Sequence, residues 1–109
     1  MRIRMLLALV LLLATVPALA ADYYVDITNR TGFIITHVYV SPGSSKSWEE
    51  DVLGTEVLPV GETRRVNLRG YTSPIFDIRL VDSDGDTYTY MVVDVSQRDI
   101  IATLEHLDK

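Results

Sequence analysis

Residues 75–93 read IFDIRLVDSDGDTYTYMVV, two alternating apolar runs around a DSDGD tip, and this stretch decides the fold class. Strict alternation over four to eight residues is the signature of a half-buried strand. A three-residue loop, Ser83-Asp84-Gly85 with Gly85 in the left-handed position, pairs Leu80 with Tyr88, Ile78 with Tyr90 and Phe76 with Val92. One face of the hairpin is then wholly apolar or aromatic, which assigns Tyr88 and Tyr90 to the core. The other carries Asp77, Arg79, Thr87 and Thr89, as a solvated face should. A two-residue loop would mix Tyr88 and Tyr90 with Asp77 and Arg79, so the bulged form is preferred.

The rest of the chain continues in the same style. Tyr23 to Thr28 is aromatic and β-branched, Asn29-Arg30-Thr31-Gly32 is a turn, and Phe33 to Val40 is a second run that Ser41-Pro42-Gly43-Ser44-Ser45 breaks. In that run His37 falls on the side of Phe33, Ile35 and Tyr39. Lys46 to Leu53 suits a short helical turn or a loop ended by Gly54, and Leu58-Pro59-Val60-Gly61 is a turn. Glu62 to Leu68 alternates, with Val66 and Leu68 inward, and Gly70 to Pro74 is a loop. Asp99 to Glu105 closes the chain as a last strand, although Ile100, Ile101, Leu104 and Leu107 also fit helical spacing. About seven short strands without a long helical period predict an all-β chain, an antiparallel β-sandwich of immunoglobulin-like size, with a small barrel as the alternative.

Ahead of the first strand stand Arg2 and Arg4, an apolar run from Met5 to Val16, and Pro17-Ala18-Leu19-Ala20, the pattern of a secretory signal peptide cut after Ala20. The expected organisation is a signal peptide over residues 1–20 and one β domain over residues 21–109. The apolar run is too short for an uncut membrane anchor, and without Cys there is no lipid attachment point. A periplasmic or secreted product follows, not membrane-spanning after processing. With no Cys, disulfide scaffolds, thiol chemistry and Cys-ligated zinc are excluded. Eight bases remain against fifteen acids after residue 20, a net charge of −7 that repels phosphate backbones, and no Lys/Arg patch interleaved with aromatics appears. Nucleic acid is not an expected partner.

Asp82, Asp84 and Asp86 alternate around the hairpin tip, and crowded carboxylates suit a hard cation such as calcium. They do not form an EF-hand, because Thr87 stands where Gly belongs and Val93 where a bidentate Glu belongs. The simpler reading is turn chemistry, in which Asp caps backbone N–H groups and Gly takes the left-handed angle. Trp48 reads first as a core plug. With Glu49, Glu50 and Asp51 behind it, it is also a candidate recognition patch for sugars or cationic groups. His37 and His106 lie far apart, no H-E-x-x-H or G-x-S-x-G is present, and a domain this small seldom offers a cleft for two-carboxylate hydrolysis. Asn29-Arg30-Thr31 is a glycosylation sequon as well as a turn.

The order N-x-T-G-x-x-I at Asn29 to Ile35, V-Y-V-S-P at Val38 to Pro42, W-x-x-D-x-L-G at Trp48 to Gly54, L-P-x-G at Leu58 to Gly61 and F-D-I-R-L-V-D-x-D-G-D at Phe76 to Asp86 resembles a family of small exported bacterial β domains of unassigned activity. The resemblance covers Val25 to Val93 and implies a compact β domain behind a signal peptide, with no catalytic residues. It also implies Cys near Phe76 and in the last strand, and this chain has neither. The expected function is a non-enzymatic binding or structural module of the bacterial envelope, contacting a protein or envelope component through Trp48 to Gly54 and the Asp82 to Asp86 loop. A calcium-binding domain using Asp82, Asp84 and Asp86 is the alternative, and a small hydrolase the second. N-terminal sequencing of the exported protein is expected to begin at Ala21; an uncut Met1 would contradict the processing site.

Overall fold

The computed structural model describes residues 19–109, so the expected signal peptide lies outside the described residues apart from Leu19 and Ala20. Six strands follow one another: β1 (Ala21–Arg30), β2 (Ile35–Pro42), β3 (Thr63–Tyr71), β4 (Ile75–Asp82), β5 (Thr87–Asp94) and β6 (Ile100–Thr103), with a single 3₁₀ turn at Leu104–His106. They form two three-stranded sheets, ordered β3-β1-β6 and β2-β4-β5. The all-β expectation therefore holds, with two corrections. There are six strands rather than about seven, because the stretch between β2 and β3 contributes only isolated bridges. Nor is the pairing wholly antiparallel, since β6 lies parallel to β1, with Ile27 beside Ile100 and Arg30 beside Thr103. No helix among the described residues is long and apolar enough to cross a membrane.

The core follows from two-residue periodicity. In β1, Val25 and Ile27 are buried while Asp26 and Thr28 are not, and in β3 Val66 and Leu68 are buried between exposed Arg65, Asn67 and Arg69. Those residues join Ile35, Val38, Phe76, Ile78, Leu80, Tyr88 and Ile100 in one buried hydrophobic cluster drawn from both sheets. β2 departs from simple alternation. A bulge between Ile35 and His37 slips the register, so Val38 and Val40 turn inward and His37 leaves the side of Ile35. His37 instead stacks on Tyr39, with ring centroids 6.1 Å apart.

The β4–β5 hairpin keeps the expected register near its tip. Leu80 pairs with Tyr88 and Ile78 with Tyr90, and Gly85 takes φ +83°. Farther along, Phe76 pairs with Val93 instead of Val92, because β5 carries a bulge opposite Asp77. The bulge holds Val92 at φ +55°, the one non-glycine residue with positive φ among the described residues. Asp77 is thereby drawn out of solvent, and its Oδ1 accepts the Val92 amide at 2.8 Å. The solvent-facing assignment of Asp77 is corrected for that reason: extra backbone on the neighbouring strand folds over it.

At the opposite end of β4 the interior is polar. Asn29 is fully buried; its Nδ2 donates to the carbonyls of Phe33 (2.7 Å) and Leu58 (3.0 Å), and its Oδ1 accepts from the Thr31 amide and hydroxyl. Its backbone accepts from the Gly61 amide and donates to the Glu62 carbonyl. An apolar side chain here would leave the buried Thr31 amide without its acceptor and take from the Phe33 and Leu58 carbonyls one of their two donors, the others being the Thr31 hydroxyl and the Ile35 amide. Asn29→Ala is therefore expected to lower unfolding stability by roughly 3 kcal/mol in urea titrations, against under about 0.5 for exposed Glu62→Ala. Mass spectrometry of the folded protein from a glycosylating host is expected to find Asn29 unmodified; a glycan there would contradict its burial.

Candidate functional site

The residues singled out in the sequence divide between two places. At the hairpin tip, Asp82 is buried and both of its oxygens are taken: Oδ1 accepts the amides of Asp84 (2.9 Å) and Asp86 (3.0 Å), and Oδ2 accepts the Tyr88 hydroxyl (2.8 Å). Asp84 and Asp86 are exposed. Among the described residues no three acidic, His or Cys side chains gather closely enough to hold a metal ion. Asp82 acts as the cap that Asp commonly supplies in tight turns. The tip is also anchored, since the Ser83 amide donates to the Ile34 carbonyl at 2.8 Å.

The second place is the β2–β3 connection. Asp51 accepts the amides of Val38 (2.9 Å) and Leu53 (3.0 Å), and the Val52 amide donates back to Val38, so this carboxylate seals the outer edge of β2. Glu49 and Glu50 are exposed, and the Glu49 amide is pinned to the buried Ser41 hydroxyl at 2.9 Å. Trp48 is not a core plug. It stands half-buried outside the hydrophobic cluster, with the Arg79 guanidinium 4.8 Å from its ring centroid. The correction has a packing reason: Phe76, Tyr88 and the aliphatic side chains already fill the interior.

Trp48 walls a pocket of about 180 Å³ together with Lys46, Asp77, Arg79 and Met91. Asp77 and Met91 also line an adjoining pocket of about 370 Å³, whose other walls include Gly43, Tyr71, Ile75 and Val92. The two form a groove along the bulged part of β5. At one wall Gly43 lies close on Ile75, where a Cβ would stand 3.1 Å from the Ile75 side chain and where the Gly43 amide donates to the Ile75 carbonyl. Met91 and Val92 rise at its rim, 59% and 72% exposed.

Lys46, Asp77, Arg79, Met91 and Val92 were not singled out in the sequence. Alternation reads Asp77 and Arg79 as ordinary solvated face, and the bulge that draws Asp77 inward is hidden in the uniformly apolar Met-Val-Val. Their opposite charges two residues apart, on one face of one strand, were the available signal. The basic residues of β3 are differently employed: Arg64 pairs with Glu56 at 3.1 Å, and Arg65 grips Asp26 at 2.9 Å while lying over the Tyr24 ring. The Arg65 hydrogen bond holds the Asp26 carboxyl below its usual range. His37 and His106 remain apart, the latter against the Tyr90 hydroxyl at 2.8 Å. Comparison with protein-family models, with curated proteins and with solved structures finds no match to this chain.

Burial, with the Asp82 carboxylate beside it, pushes the Tyr88 hydroxyl up to about 12, and burial foremost does the same for Tyr90. A group raised in the folded state stabilises fully below its unfolded value, about 10 for Tyr, and that stability fades as pH climbs through the folded value. From neutrality urea midpoints are expected to stay level up to about pH 10 and to fall between about 10 and 12, with Tyr88 accounting for on the order of 2 kcal/mol. Tyr88→Phe is expected to flatten part of that fall while lowering stability near neutrality; an unchanged alkaline slope would contradict the assignment.

Proposed function

We propose that this chain is a non-enzymatic exported binding module of the bacterial envelope, and that the groove between the Trp48 loop and the bulged part of β5 is its contact surface. The observation that carries the reading is the placement of Trp48 outside the core, beside exposed Met91 and Val92. Apolar side chains gathered at a concave rim on an otherwise acidic chain mark a surface that gains by being covered. The loop bearing Trp48 is held by the Ser41–Glu49 and Asp51–Val38 hydrogen bonds, so the surface is largely formed before a partner arrives. In this reading the two sheets stack as a sandwich around their shared cluster, and the chain belongs with the exported β domains its motifs resemble. The groove is preferred to the hairpin tip because Asp82 is buried and already accepts three internal hydrogen bonds, so a cation there would compete with the contacts that hold the turn.

Photo-crosslinking in the producing cell tests the assignment. A photoreactive side chain at Met91 is expected to give discrete adducts with an envelope component, and one at exposed Ile101, outside the groove, is not. Equal labelling from both positions would remove the groove from the contact surface. A calcium-dependent rise in melting temperature that vanishes in Asp84→Asn would move the site to the hairpin tip instead.

A further inference from the structure

Asp77 and Arg79 stand two residues apart on one face of β4, a spacing of about 6.6 Å along a strand. Opposite charges so placed can close on one another, yet among the described residues the ion pairs are Arg64–Glu56 and Arg65–Asp26 alone. Each partner is drawn away. Asp77 gives Oδ1 to the Val92 amide at 2.8 Å, while Arg79 donates Nε to the Thr89 hydroxyl at 3.1 Å and lays its guanidinium over Trp48. Among the described residues the second Asp77 oxygen and the two terminal nitrogens of Arg79 make no hydrogen bond, although Arg79 also lies within electrostatic reach of Asp108. Both side chains line the same pocket of about 180 Å³, with Lys46 as a second cation and with Trp48 and Met91 as apolar walls.

We propose that this pocket binds the zwitterionic head of an α-amino acid, with its carboxylate on Arg79 and Lys46 and its ammonium on Asp77. A plain anion would meet the Asp77 carboxylate, and a plain cation would meet Arg79 and Lys46. A molecule carrying both charges on one carbon satisfies each side with charge-assisted hydrogen bonds. Trp48 and Met91 favour an aliphatic or thioether side chain on the ligand. The inference rests on the groove being the contact surface, and it names the chemistry that surface recognises.

Trp48 is the only tryptophan in the chain, so its fluorescence reports directly on the pocket. Titration of the full-length protein with leucine is expected to give a saturable change with half-saturation near about 1 mM. N-acetylleucine, which lacks the ammonium, and leucinamide, which lacks the carboxylate, are each expected to bind at least about tenfold more weakly. Arg79→Gln and Asp77→Asn are expected to weaken leucine by a similar factor, and Asn keeps an acceptor for the Val92 amide so that the bulge survives. Should either variant fail to fold, the two blocked analogues on the unaltered protein decide the matter. Equal binding of leucine and N-acetylleucine, or no saturable response to leucine, would overturn the proposal. Adducts from Met91 without a leucine response would overturn it alone, whereas the absence of both would overturn the groove itself.

Discussion

The buried carboxamide of Asn29 is the joint through which the ends of several elements are fastened. It closes the turn after β1 by holding Thr31 and Phe33, and it reaches Leu58, whose backbone exchanges both hydrogen bonds with Ile35. Ile34 in turn receives the Ser83 amide, so the tip of the β4–β5 hairpin hangs on the turn that Asn29 shapes. Asp82 and Tyr88 continue this polar seam inside the hairpin. In a chain without disulfides, such hydrogen-bonded buried groups do what cross-links do in disulfide-rich domains of this size: they select one arrangement among several that hydrophobic burial alone would permit.

At the far end of the hairpin the opposite choice is made. Holding a β-branched residue such as Val92 in the left-handed region costs on the order of 1–3 kcal/mol. The Asp77 carboxylate offsets part of it by accepting the Val92 amide, and the gain is a change of surface: Met91 and Val92 are lifted out where a regular strand would have turned one of them inward. The groove is thus a product of the same local irregularity that bears the strain. Bulges are concentrated where a sheet must re-aim its side chains, and here the re-aimed set includes Asp77, the one acid lining the pocket.

What the sequence displayed was governed by local periodicity. The hairpin tip and two of its three cross-strand pairs could be read because DSDGD admits one comfortable turn and because alternation punishes a one-residue slip. Val66 and Leu68 were readable on the same ground. The Val92 bulge was not, since Met-Val-Val offers no polar residue to betray which side each faces. Neither was the slip in β2, where Thr36 and His37 sit side by side without a turn signal. Trp48 misled because its size suggests the interior, and nothing local announces that the interior is already full. Asn29 was visible only as a turn residue; that its amide spans to Leu58 depends on a contact 29 residues away. The candidate site fared worse than the fold because it is assembled from β4, β5 and a loop that meet only in three dimensions.

The parallel seating of β6 against β1 joins segments that lie far apart in the chain. β1 is the central strand of its sheet, flanked by β3 on one side and by β6 on the other, so its second flank is covered only by a strand far along the chain, as the pairing of Ile27 with Ile100 shows. Pairings of such large sequence separation form slowly. Closure of the first sheet is thereby tied to a long-range pairing, and loosening β6 would bare one whole flank of β1.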